Sequence, residues 1–198
     1  MLKLEDYKVV FASVGLIGVL LFASPTLGLV LRLPGGEMFS ELWVLGPGHM
    51  TEDYPFNVRA GEDYLVYVGV GNHMGSSSYY VVYVKFRNQT EPLPNATAGT
   101  PSPLPTLYEY RVVISDGGVW EAPLTFSISK ASMAEGRCFV DTLNINNVTF
   151  TVNKPALWDV NSTGYYYQLF IELWIYNIEH EGLEFHNRFV GIWLNMTS

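Results

Sequence analysis

Imidazoles and thiols are few in this sequence, and the spacing of the side chains able to hold a metal, act as nucleophiles or accept a modification sorts them. Four imidazoles are present, His49, His73, His180 and His186. His180 and His186 lie near Glu179, Glu181 and Glu184, a set of nitrogen and oxygen donors of the kind that holds a divalent cation. Their spacing matches no metal-ligand signature, so a solvated acidic turn is expected there, with no metal and no other cofactor. The single thiol, Cys138, precedes Phe139 and Val140, which suits a buried, inert cysteine better than a reactive one. No nucleophile elbow, phosphate-cradling glycine loop or cysteine pair is present. Gly69, Gly71 and Gly75 have the spacing of a strand and its turn. A Ser-His-Asp set or a carboxylate pair assembled from distant positions stays open, but no catalytic residue is named by the sequence and a non-enzyme is expected.

The modification signal is stronger. Asn88-Gln-Thr90, Asn95-Ala-Thr97, Asn147-Val-Thr149, Asn161-Ser-Thr163 and Asn195-Met-Thr197 all fit the N-glycosylation acceptor pattern, and none has Pro in its middle position. The chain has 12 Asn, and its 13 Ser and 12 Thr would place only about 1.5 such sites by chance. Covalent N-linked glycans on Asn88, Asn95, Asn147, Asn161 and Asn195 are therefore expected, and with them a location outside the cytoplasm.

The elements that position these residues begin with an apolar run. Val9–Leu31 is a 23-residue stretch without a charged side chain, long enough as a helix, at about 35 Å, to cross a hydrocarbon core of about 30 Å. A transmembrane helix is expected at 9–31, with Pro25 as a kink or exit point. A cleaved signal is the rival, but Ala23-Ser24-Pro25 makes a poor cut site. Lys3 and Lys8 favour an inside N-terminus only weakly against Glu5, Asp6 and Arg32, so the sequons decide the orientation. The expected plan is a cytoplasmic tail at 1–8, the single membrane pass, a linker at 32–38 and an extracellular domain at 39–198. After Leu33 there are 17 acidic against 8 basic residues. That balance disfavours nucleic acid and anionic head groups as partners.

Beyond the linker, short runs rich in Val, Ile, Tyr, Phe and Trp alternate with Gly, Pro, Asn and Ser. They predict strands at Glu41–Leu45, Tyr64–Gly71, Tyr79–Arg87, Leu107–Ser115, Trp120–Ser129, Phe139–Asn146, Tyr165–Tyr176 and Leu183–Leu194. Seven or eight such strands predict an all-β antiparallel sandwich. In Tyr165–Ile175 the odd positions are wholly apolar, whereas the even ones include Gln168 and Glu172. Asn177–Gly182 turns that strand back into a long hairpin. The Pro-rich segment from Asn88 to Thr106 predicts a long surface loop or an extended binding arm. With one cysteine, stability must come from the core. Most of the aromatic residues are expected in that core, and the exposed ones at a protein interface.

Phe39-Ser-Glu-Leu-Trp-Val-Leu-Gly-Pro47, followed by Glu52-Asp-Tyr-Pro-Phe-Asn57, Ala60-Gly-Glu62 and Val70-Gly-Asn-His73, resembles an archaeal membrane-protein family known as domain of unknown function 1616. The resemblance implies an archaeal envelope protein whose outer portion is an immunoglobulin-like domain similar to cell-adhesion-related modules. It supplies no activity and no catalytic residues, and many members have several spans where this chain has one.

The leading functional expectation is a single-span, glycosylated, non-catalytic accessory or scaffolding subunit of an archaeal cell-envelope membrane complex, in contact with lipid through Val9–Leu31 and with other envelope proteins or copies of itself. One alternative is a pilin-like subunit of a surface filament or layer, which normally loses a short charged leader. Another is an accessory for binding or exporting cell-surface polysaccharide, using aromatic residues such as Trp120 and Trp174.

Overall fold

The computed structural model describes residues 4–30 and 37–196, and side chains are described for 7–19, 22 and 37–196. The chain divides into two compact units, Met1–Met38 and Phe39–Ser198.

The first unit contains one helix, α1 (Leu4–Val30, 27 residues), which continues past Pro25. Its described side chains are exposed, among them Val9, Val10, Phe11, Val14, Leu16, Ile17, Val19 and Phe22. Among the described residues no helix is long and apolar enough to cross a membrane. The segment expected to span at Val9–Leu31 is helical from Leu4 to Val30. Leu31, residues 1–3 of the tail and residues 32–36 of the linker lie outside the described residues.

The second unit is built from ten strands: β1 (Phe39–Leu45), β2 (Asn57–Val58), β3 (Tyr64–His73), β4 (Ser78–Asn88), β5 (Tyr108–Ile114), β6 (Val119–Ala134), β7 (Arg137–Ile145), β8 (Val148–Asp159), β9 (Gly164–Asn177) and β10 (Gly182–Met196). The eight expected strands are all present, so the all-β expectation stands and the strand count rises to ten. The two additions have clear reasons. A two-residue β2, paired parallel to β10, is too short to show a period. In β8, Pro155 and a left-handed Asn153 (φ 48°) interrupt the pattern, and the register against β7 shifts between Val140 and Thr142, which is how a strand absorbs such residues.

One layer runs β1-β3-β6-β7-β8 and the other β5-β4-β9-β10-β2. They are hydrogen-bonded into one continuous sheet where the end of β8 pairs Trp158 with Tyr165 and Asp159 with Gly164. Further along the chain the same β9 pairs with β4, from Tyr167 to Ile175. The single core takes Val66, Val68 and Val70 from β3, Leu124, Phe126 and Ile128 from β6, and Leu143 and Ile145 from β7. From the other layer come Val82, Val84, Phe86, Leu169, Ile171 and Leu173. These are alternate residues of each strand, as a pleated sheet with one face in the core requires.

Candidate functional site

The outer face of the second layer holds the unexpected chemistry. In register across β4, β9 and β10 stand Arg87, Gln168 and Trp193, then Lys85, Phe170 and Gly191, then Tyr83, Glu172 and Phe189. Alternation points all of them away from the core, yet Lys85, Arg87, Gln168, Phe170 and Glu172 are buried. The cover is the segment between β4 and β5, expected as a surface loop and in fact a strap laid against this face. Lys85 Nζ and Glu172 Oε2 are 2.9 Å apart, with side chains 5 % and 0 % exposed. Both groups also reach the strap's main chain: the N–H of Ser102 donates to Glu172 Oε1 (2.8 Å) and Lys85 Nζ donates to the Ser102 carbonyl (2.8 Å). Trp174 Nε1 adds a third donor to the carboxylate, at 3.1 Å. An ion pair out of water is tolerable only when its remaining hydrogen-bonding capacity is filled in this way. Gly191 belongs to the same packing, because a Cβ there would come within 2.8 Å of Phe170 Cβ.

The strap's first residues are fixed by Asn88. Its Nδ2 donates to the Pro155 carbonyl (2.8 Å), and its Oδ1 accepts from the Thr90 N–H, the Thr90 hydroxyl and the Glu91 N–H, each at 3.0 Å. Arg87 Nε and Nη2 donate to the carbonyls of Asn88 and Gln89, and Lys154 Nζ meets Glu91 Oε1 at 2.5 Å. Burial lowers the pKa of Arg87, whose guanidinium stacks 5.4 Å from the Trp193 ring centroid.

The five glycosylation candidates separate on this geometry. Asn95, Asn147 and Asn161 are exposed at turns. Asn88 is 9 % exposed with its amide already donated. Asn195 is half-buried, its Nδ2 donates to Asn57 Oδ1 (3.1 Å), and Thr197 of its sequon lies outside the described residues.

Beside the strap, two clefts share the rings of Phe56 and Trp193. One, of about 400 Å³, is lined by Phe56, Gln89, Asp159, Ser162, Tyr166 and Trp193. The other, of about 410 Å³, is lined by Val44, Tyr54, Phe56 and residues 190–193. Trp120 and Trp174, the aromatic residues first considered for sugar contact, are half-buried. The Trp120 ring packs on Tyr110 at 5.2 Å, and the Trp174 ring on Tyr83 at 5.4 Å.

The histidines do not assemble a metal centre. His180 contacts Glu184 in the hairpin turn, whereas His186 faces another way. Among the described residues no three His, Cys, Asp or Glu side chains are placed to hold a metal. His186 Nε2 instead lies 2.9 Å from Ser40 Oγ, which is 2.7 Å from the Tyr80 hydroxyl, which donates to Asn72 Oδ1 (3.0 Å). This resembles a nucleophile–base pair in its atoms only. Ser40 is 1 % exposed, and burial lowers the His186 pKa, which favours the neutral ring. The four residues lie between 8 and 146 positions apart, so nothing in the sequence announced the arrangement. Cys138 is buried and unpaired, and burial raises the pKa of its thiol. The Tyr167 hydroxyl donates to its carbonyl (2.7 Å).

Comparison with known proteins identifies the family. The family model described as "Domain of unknown function (DUF1616)" matches residues 33–135, more than half of the chain, and the chain belongs to that family. No curated protein matches the sequence. Among solved structures, the chain is similar to a β-glucosidase from Listeria innocua in complex with glucose (9 % identity, TM-score 0.43), over 81 % of this chain and 16 % of that one. It is also similar to a CARDB domain from Pyrococcus furiosus in complex with di-metal ions (9 % identity, TM-score 0.40), over 84 % and 94 % of the two chains. A third is the C-terminal domain of wzt (10 % identity, TM-score 0.36), over 83 % and 82 %.

Proposed function

We propose that this member of the DUF1616 family is a non-catalytic accessory or scaffolding subunit of an archaeal cell-envelope complex. It is anchored in the membrane by its N-terminal apolar segment, with its N-terminus inside. It presents an immunoglobulin-like, N-glycosylated β domain outside. The observation that carries the reading is the run of outward apolar side chains on α1, from Val9 to Val19 and at Phe22. A helix with that surface needs lipid or protein around it. The uncharged sequence through Leu31 supplies the length for lipid. Asn95, Asn147 and Asn161 support the outward orientation, since all three occupy exposed turns where a glycan fits without unpacking the fold.

The test is extraction of the native protein in mild detergent, with mass spectrometry of everything that accompanies it. A carbonate-resistant membrane protein with an intact N-terminus and a stoichiometric, different companion is the expected result. Recovery of the chain without any companion would overturn the accessory role. Recovery of copies of itself alone, trimmed within Leu4–Gly18, would replace it with a filament subunit.

A further inference from the structure

The cleft between Phe56 and Trp193 has the composition of a carbohydrate seat. Its two rings remain 46 % and 42 % exposed, and each has a packing partner. The Trp193 ring is backed by Arg87. Phe56 is held through its carbonyl by the Asn195 N–H (2.6 Å) and packs at 6.0 Å on Tyr166. Rigid aromatic faces of this kind accept the C–H face of a pyranose, while polar groups at the edge take its hydroxyls. Here the edge is Asp159 and Gln89. Asp159 Oδ1 accepts from the N–H groups of Asn161 and Ser162 (2.9 and 3.1 Å), which leaves its second oxygen for a sugar hydroxyl. Gln89 spends its Nε2 on the Leu157 carbonyl (3.0 Å), which leaves its Oε1.

The occupant is indicated by the wall of the cleft itself. Ser162, which lines it, is the middle residue of the sequon Asn161-Ser162-Thr163. Asn161 is exposed on the same turn, and only its main chain is engaged. We propose that this cleft seats the N-linked glycan carried by Asn161 of the same chain, with a neutral pyranose stacked against Phe56 and Trp193. The net charge of −8 and the Asp159 carboxylate disfavour an acidic sugar. The inference rests on the glycosylation reading above. Attachment forms a bond from Asn161 Nδ2 to C1 of a phosphate-activated glycosyl donor; the bond from C1 to the phosphate oxygen breaks, the phosphate leaves with the electron pair, and the amide nitrogen loses one proton. The sequon at Asn147 borders a smaller and more polar cleft, of about 180 Å³, walled by Asp63, Thr125, Ser127 and Asn144 besides the buried Phe126.

Peptide mapping of the protein from its native membranes establishes whether Asn161 carries a glycan. Hydroxyl-radical footprinting then compares the full-length protein with Asn161→Gln and Thr163→Ala, which remove the same sequon in two ways at exposed positions. Trp158, 49 % exposed on the neighbouring end of β8, serves as the internal control. The expected result is a glycan on Asn161 and Trp193 oxidised several-fold more slowly in the glycosylated protein than in either variant, with Trp158 little changed. Equal shielding of both indoles, or of neither, with Asn161 glycosylated, overturns the seat and leaves the glycosylation reading intact. An unmodified Asn161 overturns the seat together with glycosylation at that position.

Discussion

Toward the core, Val82, Val84 and Phe86 of β4 stand opposite Leu173, Ile171 and Leu169 of β9. One residue further along each strand, on the outer face, Tyr83, Lys85 and Arg87 stand opposite Glu172, Phe170 and Gln168. The inner face is shut off from water, and so is the outer one at Lys85, Arg87, Gln168, Phe170 and Glu172, but by different means. The inner face is closed by a second layer of apolar residues, whose attraction is non-directional and tolerates exchange among similar shapes. The outer face is closed by a strap held at named atoms, where one missing partner leaves a charge stranded. The inner face supplies cohesion, and the outer one fixes where a particular stretch of chain must lie.

The contrast is testable, beginning with its strongest consequence. Glu172→Ala leaves the Lys85 ammonium buried and unpaired, and should cost about 3–5 kcal/mol in urea unfolding. Proteolytic cleavage between residues 89 and 106 should then appear below the global transition; wild-type stability and an uncut strap would dissolve the contrast. Ile171→Ala, on the inner face of the same strand, should cost about 3 kcal/mol without opening the strap to protease. The double replacement Lys85→Met with Glu172→Leu should return stability to within about 1–2 kcal/mol of wild type. Its strap should still be cut faster, because the contacts to Ser102 are gone. The smallest effect concerns His186. Burial, aided by Arg188, holds its pKa below the ordinary value. Below about pH 6.5 the unfolded chain therefore binds a proton that the folded chain refuses. Stability is complete above that pH and falls as the solution is acidified toward the folded value. Thermal melts of His186→Phe across this window should show a flatter profile than wild type.

Much of the inner face was legible in the sequence. The unbroken apolar odd positions from Tyr165 to Ile175 specified which side of β9 enters the core, and Asn177–Gly182 specified the hairpin. The outer face was not legible, because Gln168 and Glu172 on alternate positions read equally well as solvated, and only the strap's path reveals them as buried. Burial at Asn88 was hidden for a related reason. A sequon records a residue pattern, whereas the bond from its amide to Pro155 joins positions 67 apart. The pairing of the exposed rings Phe56 and Trp193 carried no sequence signal, since one lies just before a two-residue strand and the other stands between apolar Ile192 and Leu194 in a long one.

The ion pair addresses the strap through the N–H and C=O of Ser102, atoms that nearly every amino acid possesses. At this point, unlike at Asn88 and Glu91, the ion pair itself reads no side chain of the segment it holds. Mutations can accumulate along much of its outward side while its course over the sheet stays the same. A segment held in this way can change many of its letters without first having to solve the folding problem again.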